Sequence, residues 1–144
     1  MFFGQSPQDT RAFFFSSWKK YREQQALNAL EQQLVEIILL HPHYHALLEC
    51  DPVSSLQHPD PRVGDTNPFL HMGLHCAIRE QVALDRPPGI ARIHHALLQK
   101  YHDRCTVDHL LMEILEGCLW RAQRDHQMPD ENRYLSACQA LLEE

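Results

Sequence analysis

The spacing of hydrophobic residues along this chain predicts helices throughout. From about Gln25 to Leu40, leucine and isoleucine recur every three or four residues, which is the period of an amphipathic helix. The same period appears at about 7–21, 67–84, 90–101, 106–126 and 130–142, and a short helical turn is expected near 44–48. Proline and glycine separate these segments, at Pro42 and at 85–89 for example. No segment alternates polar and apolar residues, so no β-sheet is expected.

These segments predict one all-α domain covering residues 1–144, a helical bundle of about five to six helices. Residues 51–66 contain three prolines, a glycine and two serines, and are expected to form a long loop. With 144 residues, of which 44% are hydrophobic, the chain is long enough to bury a substantial core.

Composition narrows the classes of function. The formal charge of −6 and the lack of a Lys/Arg cluster argue against nucleic-acid binding. No apolar run reaches the roughly eighteen residues of a membrane span, and residues 1–6 lack the pattern of a signal peptide. The five cysteines are scattered without C-x-x-C spacing, which is typical of reduced thiols. We therefore expect a cytoplasmic protein that interacts with neither nucleic acid nor membrane.

His71 and His75 are the most informative of the eleven histidines. Asn67 as N-cap and Pro68 at the first helical position predict a helix that places both imidazoles on one face. That face continues in an apolar stripe made of Leu74, Ile78 and Val82. A buried imidazole needs a polar partner, which can be a side chain, a carbonyl group, water or a metal ion. The pair is therefore either structural or metal-binding.

Two other segments offer candidate ligands. His41 and His45 are also four residues apart, but Pro42 between them leaves the local geometry open. This segment either supplies further ligands to the first pair or forms an exposed turn. His109 and Glu113 have the helical His/carboxylate spacing of metal-binding bundles. The helical wheel places the apolar centre of that helix near residues 111, 115, 118 and 122, so an acidic, solvated face is the alternative for this second pair.

Three further features bear on packing and partners. Arg79, Glu80 and Gln81 interrupt an apolar helix at three angles, so at least one of them needs a polar partner. The pairs His94-His95 and His102-Asp103 lack a ligand spacing and are expected at the surface. Three consecutive phenylalanines and a tryptophan in the first helix cover more of its circumference than one core-facing stripe requires, which indicates a homo-oligomer or protein partner. These residues are Phe13, Phe14, Phe15 and Trp18.

Several runs resemble the small bacterial family called domain of unknown function 1841. They are HPxYH at 41–45, NPFLHMGLHxAIREQ at 67–81, DRP at 85–87 and LWxAQR at 119–124. His43 stands where that pattern leads us to expect glutamate. The resemblance covers most of the chain and implies a bacterial, cytoplasmic, single-domain protein, with no assigned activity.

A looser similarity is to helical bundles of the hemerythrin and DinB-like kinds. It implies that histidines and carboxylates from several helices meet in the core. His71/His75 and His109/Glu113 match two elements of a hemerythrin-like ligand set, although in a different order along the chain. This is an analogy of fold, which does not establish function.

Two hypotheses follow. In the first, the protein binds a transition-metal ion, zinc, iron or nickel, through His71 and His75. His45 or His41, with Glu113 or His109, would complete the ligand set. In the second, the protein is a non-enzymatic interaction or oligomerisation module whose buried histidines serve packing. Catalytic residues are not predicted, because glycine-rich phosphate loops and nucleophile elbows are absent from the sequence.

Overall fold

The fold of the described residues is entirely helical, as the hydrophobic period predicts. A computed structural model describes residues 7–49 and 68–144, with side chains from residue 11 onward. No β-strand occurs in these ranges. The loop predicted at 51–66 lies outside the described residues. The helices are α1 (Pro7–Arg22), α2 (Ala29–Leu39), a 3-10 turn (Pro42–Tyr44), α3 (His45–Leu48), α4 (Pro68–Leu84), α5 (Ile90–Tyr101), α6 (Arg104–Arg124) and α7 (Glu131–Ala140).

Asn28 sets the start of α2, four residues later than the hydrophobic period predicts. The Asn28 side chain accepts a hydrogen bond from the backbone N–H of Glu31 at 2.8 Å. The Glu31 carboxylate in turn accepts one from the backbone N–H of Asn28 at 2.9 Å, which completes a capping box. The cap satisfies backbone donors that have no partner inside the helix, so the helix begins after Asn28.

The chain divides into two compact units, residues 1–76 and 77–144, with the boundary inside α4. Both units are helical in the described residues, so the all-α class is confirmed. The assignment of residues 1–144 to a single domain stays a prediction. None of the described helices combines the length and apolar character that a membrane span requires.

The aromatic side chains of α1 form the centre of the first unit's core. Phe14, Phe15 and Trp18 are buried, and Phe13 is partly buried against the same cluster. The Phe69 ring of α4 lies 5.9 Å from that of Phe14 and 5.8 Å from that of Phe15, between ring centroids. Much of the aromatic surface therefore packs within this unit. The partner or oligomer contact expected for these residues stays a prediction.

A buried ionic network lies in the core of the second unit. The fully buried Asp108 carboxylate accepts a hydrogen bond from His94 Nε2 at 2.9 Å and pairs with Arg79 Nε at 3.4 Å. The expectation that His94 is a surface residue is wrong, because only 4% of the residue is exposed. His94 shares the buried stripe of α5 with Ile90 and Leu97, at helical spacing.

The polar interruption of α4 also finds the partners that the sequence requires. Arg79 pairs with Asp108, as described above, and Gln81 accepts a hydrogen bond from the Tyr134 hydroxyl at 2.6 Å. Both contacts lie within the second unit. The prediction of a polar partner for this part of the helix is therefore confirmed, because a half-buried polar side chain must replace the water it loses.

Candidate metal site

Two candidate ligands, His41 and His71, lie within contact distance of each other in the first unit. Their Nε2 atoms are 3.1 Å apart, and their ring centroids are 4.9 Å apart with the rings nearly perpendicular. His41 follows the end of α2, and His71 lies in the first turn of α4. Two imidazole nitrogens at this distance either share a hydrogen bond or are close enough to bind one metal ion.

The other nitrogen of His41 fixes the role of its Nε2 atom. His41 Nδ1 lies 2.8 Å from the carbonyl oxygen of Ile37, in the last turn of α2. A carbonyl oxygen can only accept, so Nδ1 carries a proton and donates it. In the neutral ring the lone pair is then on Nε2, the atom nearest His71. A carbonyl group that holds the far nitrogen of a histidine in this way is a common outer contact of metal-binding histidines.

The end of α2 places His41 in this position. The helix ends at Leu39, and Pro42 lacks the backbone N–H that would continue it, so the chain enters the 3-10 turn. His41 is 4% exposed. Its ring stacks nearly parallel to the Tyr44 ring, with centroids 5.6 Å apart and planes 14° apart. Burial raises the pKa of the Tyr44 phenol above its ordinary value.

His75 lies one helical turn after His71 and is fully buried. Its ring centroid is 5.4 Å from that of His41, with the two rings perpendicular. His41 therefore contacts both histidines that the four-residue spacing selects. Of the two, His71 is half-buried and has its Nε2 atom at ligand distance from His41.

His45 has a different environment from its neighbour His41. Its Nε2 atom donates a hydrogen bond to the carbonyl oxygen of Ile38 at 2.8 Å. Its ring packs against Trp18, with centroids 4.5 Å apart. The contacts of His45 thus satisfy a carbonyl group at the end of α2 and extend the aromatic core. Only the Nδ1 atom of His45 remains a candidate ligand atom while this bond to Ile38 is present.

His109 and Glu113 lie on α6, in the second unit. His109 is half-buried and its Nδ1 atom donates to the carbonyl oxygen of Cys105 at 2.6 Å, whereas Glu113 is exposed. The buried side of α6 contains Leu111, Leu115 and Cys118, so the orientation predicted from the helical wheel is confirmed. Both residues remain candidates from the sequence for completing a metal site.

Comparison with known proteins identifies a family. Residues 6–140 match the family described as "Domain of unknown function (DUF1841)". The chain belongs to this family. The match extends over nearly all of the sequence and confirms the resemblance carried by the runs at 41–45, 67–81, 85–87 and 119–124. No match was found among the curated proteins or among the solved structures. The comparisons add no support for the looser similarity to hemerythrin-like bundles.

The structure of this DUF1841 family member contains a ring contact that residue spacing alone does not predict. Tyr44 stacks on His41, although nothing in the run HPHYH indicates which ring faces which. The 3-10 turn creates this contact, because residues three apart in such a turn lie on the same side. The three-residue spacing between His41 and Tyr44 therefore indicates the ring contact only once Pro42 is known to begin a 3-10 turn.

Proposed function

We propose that this DUF1841 protein binds one transition-metal ion through the Nε2 atoms of His41 and His71. The observation that carries the proposal is the 3.1 Å separation of these two atoms, one of them on a ring whose Nδ1 proton is held by a carbonyl group. The sequence argument selects His71 together with His75 and leaves His45 or His41 as a further ligand, so the proposed pair takes one residue from each of these two sets.

The distance suits metal coordination as well as a hydrogen bond. Two nitrogens that each lie about 2.1 Å from one ion are about 3.0 Å apart at a right angle and about 3.4 Å apart at the tetrahedral angle. The observed 3.1 Å lies between these values. The separation of the two Nε2 atoms therefore fits two nitrogens bound to one ion.

The position of His41 favours a cation. The carbonyl groups at the C-terminal end of a helix carry partial negative charge, and His41 is bonded to the Ile37 carbonyl in the last turn of α2. A cation on the opposite nitrogen of the same ring would polarise the imidazole and strengthen its hydrogen bond to Ile37. The pair would therefore bind a metal ion more favourably than two isolated surface histidines.

Imidazole ligands suit zinc, iron and nickel, which are the ions we propose. His75 is the next candidate ligand, since its ring is adjacent to His41 and a rotation of its side chain would redirect its nitrogens. His45, His109 and Glu113 are the remaining candidates for completing the coordination sphere. Each is tested by its own alanine variant.

A cytoplasmic location in a bacterium is part of the proposal. Support comes from the cysteines: Cys105, Cys118 and Cys138 are free thiols in the described part of the chain. Such thiols persist in a reducing compartment.

The test is elemental analysis of untagged protein, purified without added metal or chelator and then titrated with zinc, iron(II) and nickel. We expect near-stoichiometric metal in the wild type. We expect a strong loss of metal in His71→Ala, because this variant lacks one of the two proposed ligands. His95→Ala is the matched control, since His95 is exposed on α5 and should keep full metal content. A wild type that binds none of these ions would refute the proposal. The histidines would then be structural, as the interaction-module hypothesis requires.

A further inference from the structure

We propose that Tyr44 is a positioning residue that orients His41 for metal binding; this inference rests on the proposed function. The Tyr44 ring stacks on the His41 imidazole in an offset arrangement, with planes 14° apart and centroids 5.6 Å apart. The same ring lies 6.2 Å from that of His71, at 72°. Tyr44 therefore contacts both residues of the proposed ligand pair, and it is not itself a ligand in the proposal.

The physical reason is the freedom that the bond to Ile37 leaves to the His41 ring. The His41 ring turns about its χ1 and χ2 torsions, and a hydrogen bond at Nδ1 tolerates part of that rotation because its angle can vary. Such a turn moves Nε2 relative to His71. Contact with a flat aromatic face disfavours this rotation, because tilting either ring loses the stacked contact. Two contacts, one at an atom and one at a face, together define the direction of the Nε2 lone pair.

Tyr44 can serve this role because its own position is well determined. The backbone N–H of Tyr44 donates to the carbonyl oxygen of His41 at 2.9 Å, which closes the 3-10 turn. The side chain is 7% exposed and belongs to the core cluster of the first unit. The turn and the core thus hold the ring independently of any metal ion, so the orientation of His41 is prepared before binding.

The experiment measures zinc affinity by competition with a chromophoric chelator, for the full chain and three variants. Tyr44→Leu removes the flat face, Tyr44→Phe keeps it without the hydroxyl, and Phe14→Leu removes a buried aromatic ring elsewhere in the same core. We expect Tyr44→Leu to weaken zinc binding by roughly 10–100-fold, and Tyr44→Phe and Phe14→Leu to stay within about threefold of wild type. The absorption spectrum of bound cobalt(II) should change in Tyr44→Leu alone, because only that variant alters the ligand geometry.

The melting temperature of each variant separates positioning from stability. Phe14→Leu should melt below the wild type and still bind zinc normally. If Tyr44→Leu does not fold, Tyr44→Met gives the same test, because methionine fills the space with a flexible chain and no flat face. Unchanged affinity in the folded variant, or an equal loss in Phe14→Leu, would overturn the positioning role. If wild type binds zinc and His71→Ala does not, either of those two results refutes the positioning role of Tyr44 alone and leaves the proposed metal site standing. Failure of the wild type to bind zinc would overturn both proposals.

Discussion

Replacing Asp108 with asparagine should strongly destabilise the second unit. Asp108 is fully buried, and its two carboxylate oxygens face His94 Nε2 at 2.9 Å and Arg79 Nε at 3.4 Å. Both partners are donors. Asparagine has the same shape but only one acceptor oxygen, so its NH2 group would face one of these donors. The substitution also leaves the positive charge of Arg79 without its counter-charge, in a side chain that is 14% exposed.

The magnitude follows from this burial. Removing one member of a buried ion pair costs about 3–5 kcal/mol, and the retained shape of asparagine favours the lower end. With a urea m-value of about 2 kcal/mol/M, a loss of about 3 kcal/mol moves the unfolding midpoint down by about 1.5 M. The assay is urea unfolding of the full chain, followed by far-UV circular dichroism.

Asp125→Asn is the matched control for Asp108→Asn. Asp125 pairs with Arg124 at 3.0 Å, but both side chains are about half exposed, so the change should cost at most about 1 kcal/mol. The two variants differ in burial and share the same chemical substitution. An Asp108→Asn midpoint within the range of the control would refute the reasoning that burial makes this network important for stability.

Two further predictions concern the pH dependence of stability and thiol reactivity. The backbone hydrogen bond from Asn28 and the contact with Lys20 hold the pKa of Glu31 below its ordinary value of 4.5, so its ionised form stabilises the fold above that pH. Glu31→Gln should therefore have a lower melting temperature than the wild type at pH 7, and this difference in melting temperature should shrink as the pH falls through the lowered pKa. A difference that stays constant with pH would contradict this prediction. Burial raises the pKa of the Cys138 thiol to about 12, so it should not react with a thiol reagent at pH 8 in the folded protein. Titration of folded Cys138→Ser with this reagent should therefore give the same number of reactive thiols as folded wild type. A number lower by one would show that Cys138 reacts in the folded protein and would contradict the prediction.

Local patterns predicted much of the candidate site. The four-residue spacing of His71 and His75 placed both on one face of a helix, and α4 has that form. The wheel of the α6 segment correctly separated buried Leu111 from exposed Glu113. These features depend on residues only a few positions apart, so the helical period is enough to infer them. Ligand spacing does not indicate that His94 is buried; the signal for its burial is its place in the apolar stripe of α5.

The amino-acid sequence is enough to predict the helices, their apolar faces and the family, because helical period, caps and proline breaks all act over a few residues. Which polar groups meet depends on the tertiary structure. His41 and His71 are 30 residues apart, and His94 and Asp108 are 14 apart. Contacts at such separations depend on how the helices pack, which no local pattern specifies. The 3.1 Å separation of the two nitrogens therefore depends on how the end of α2 and the start of α4 pack within the first unit.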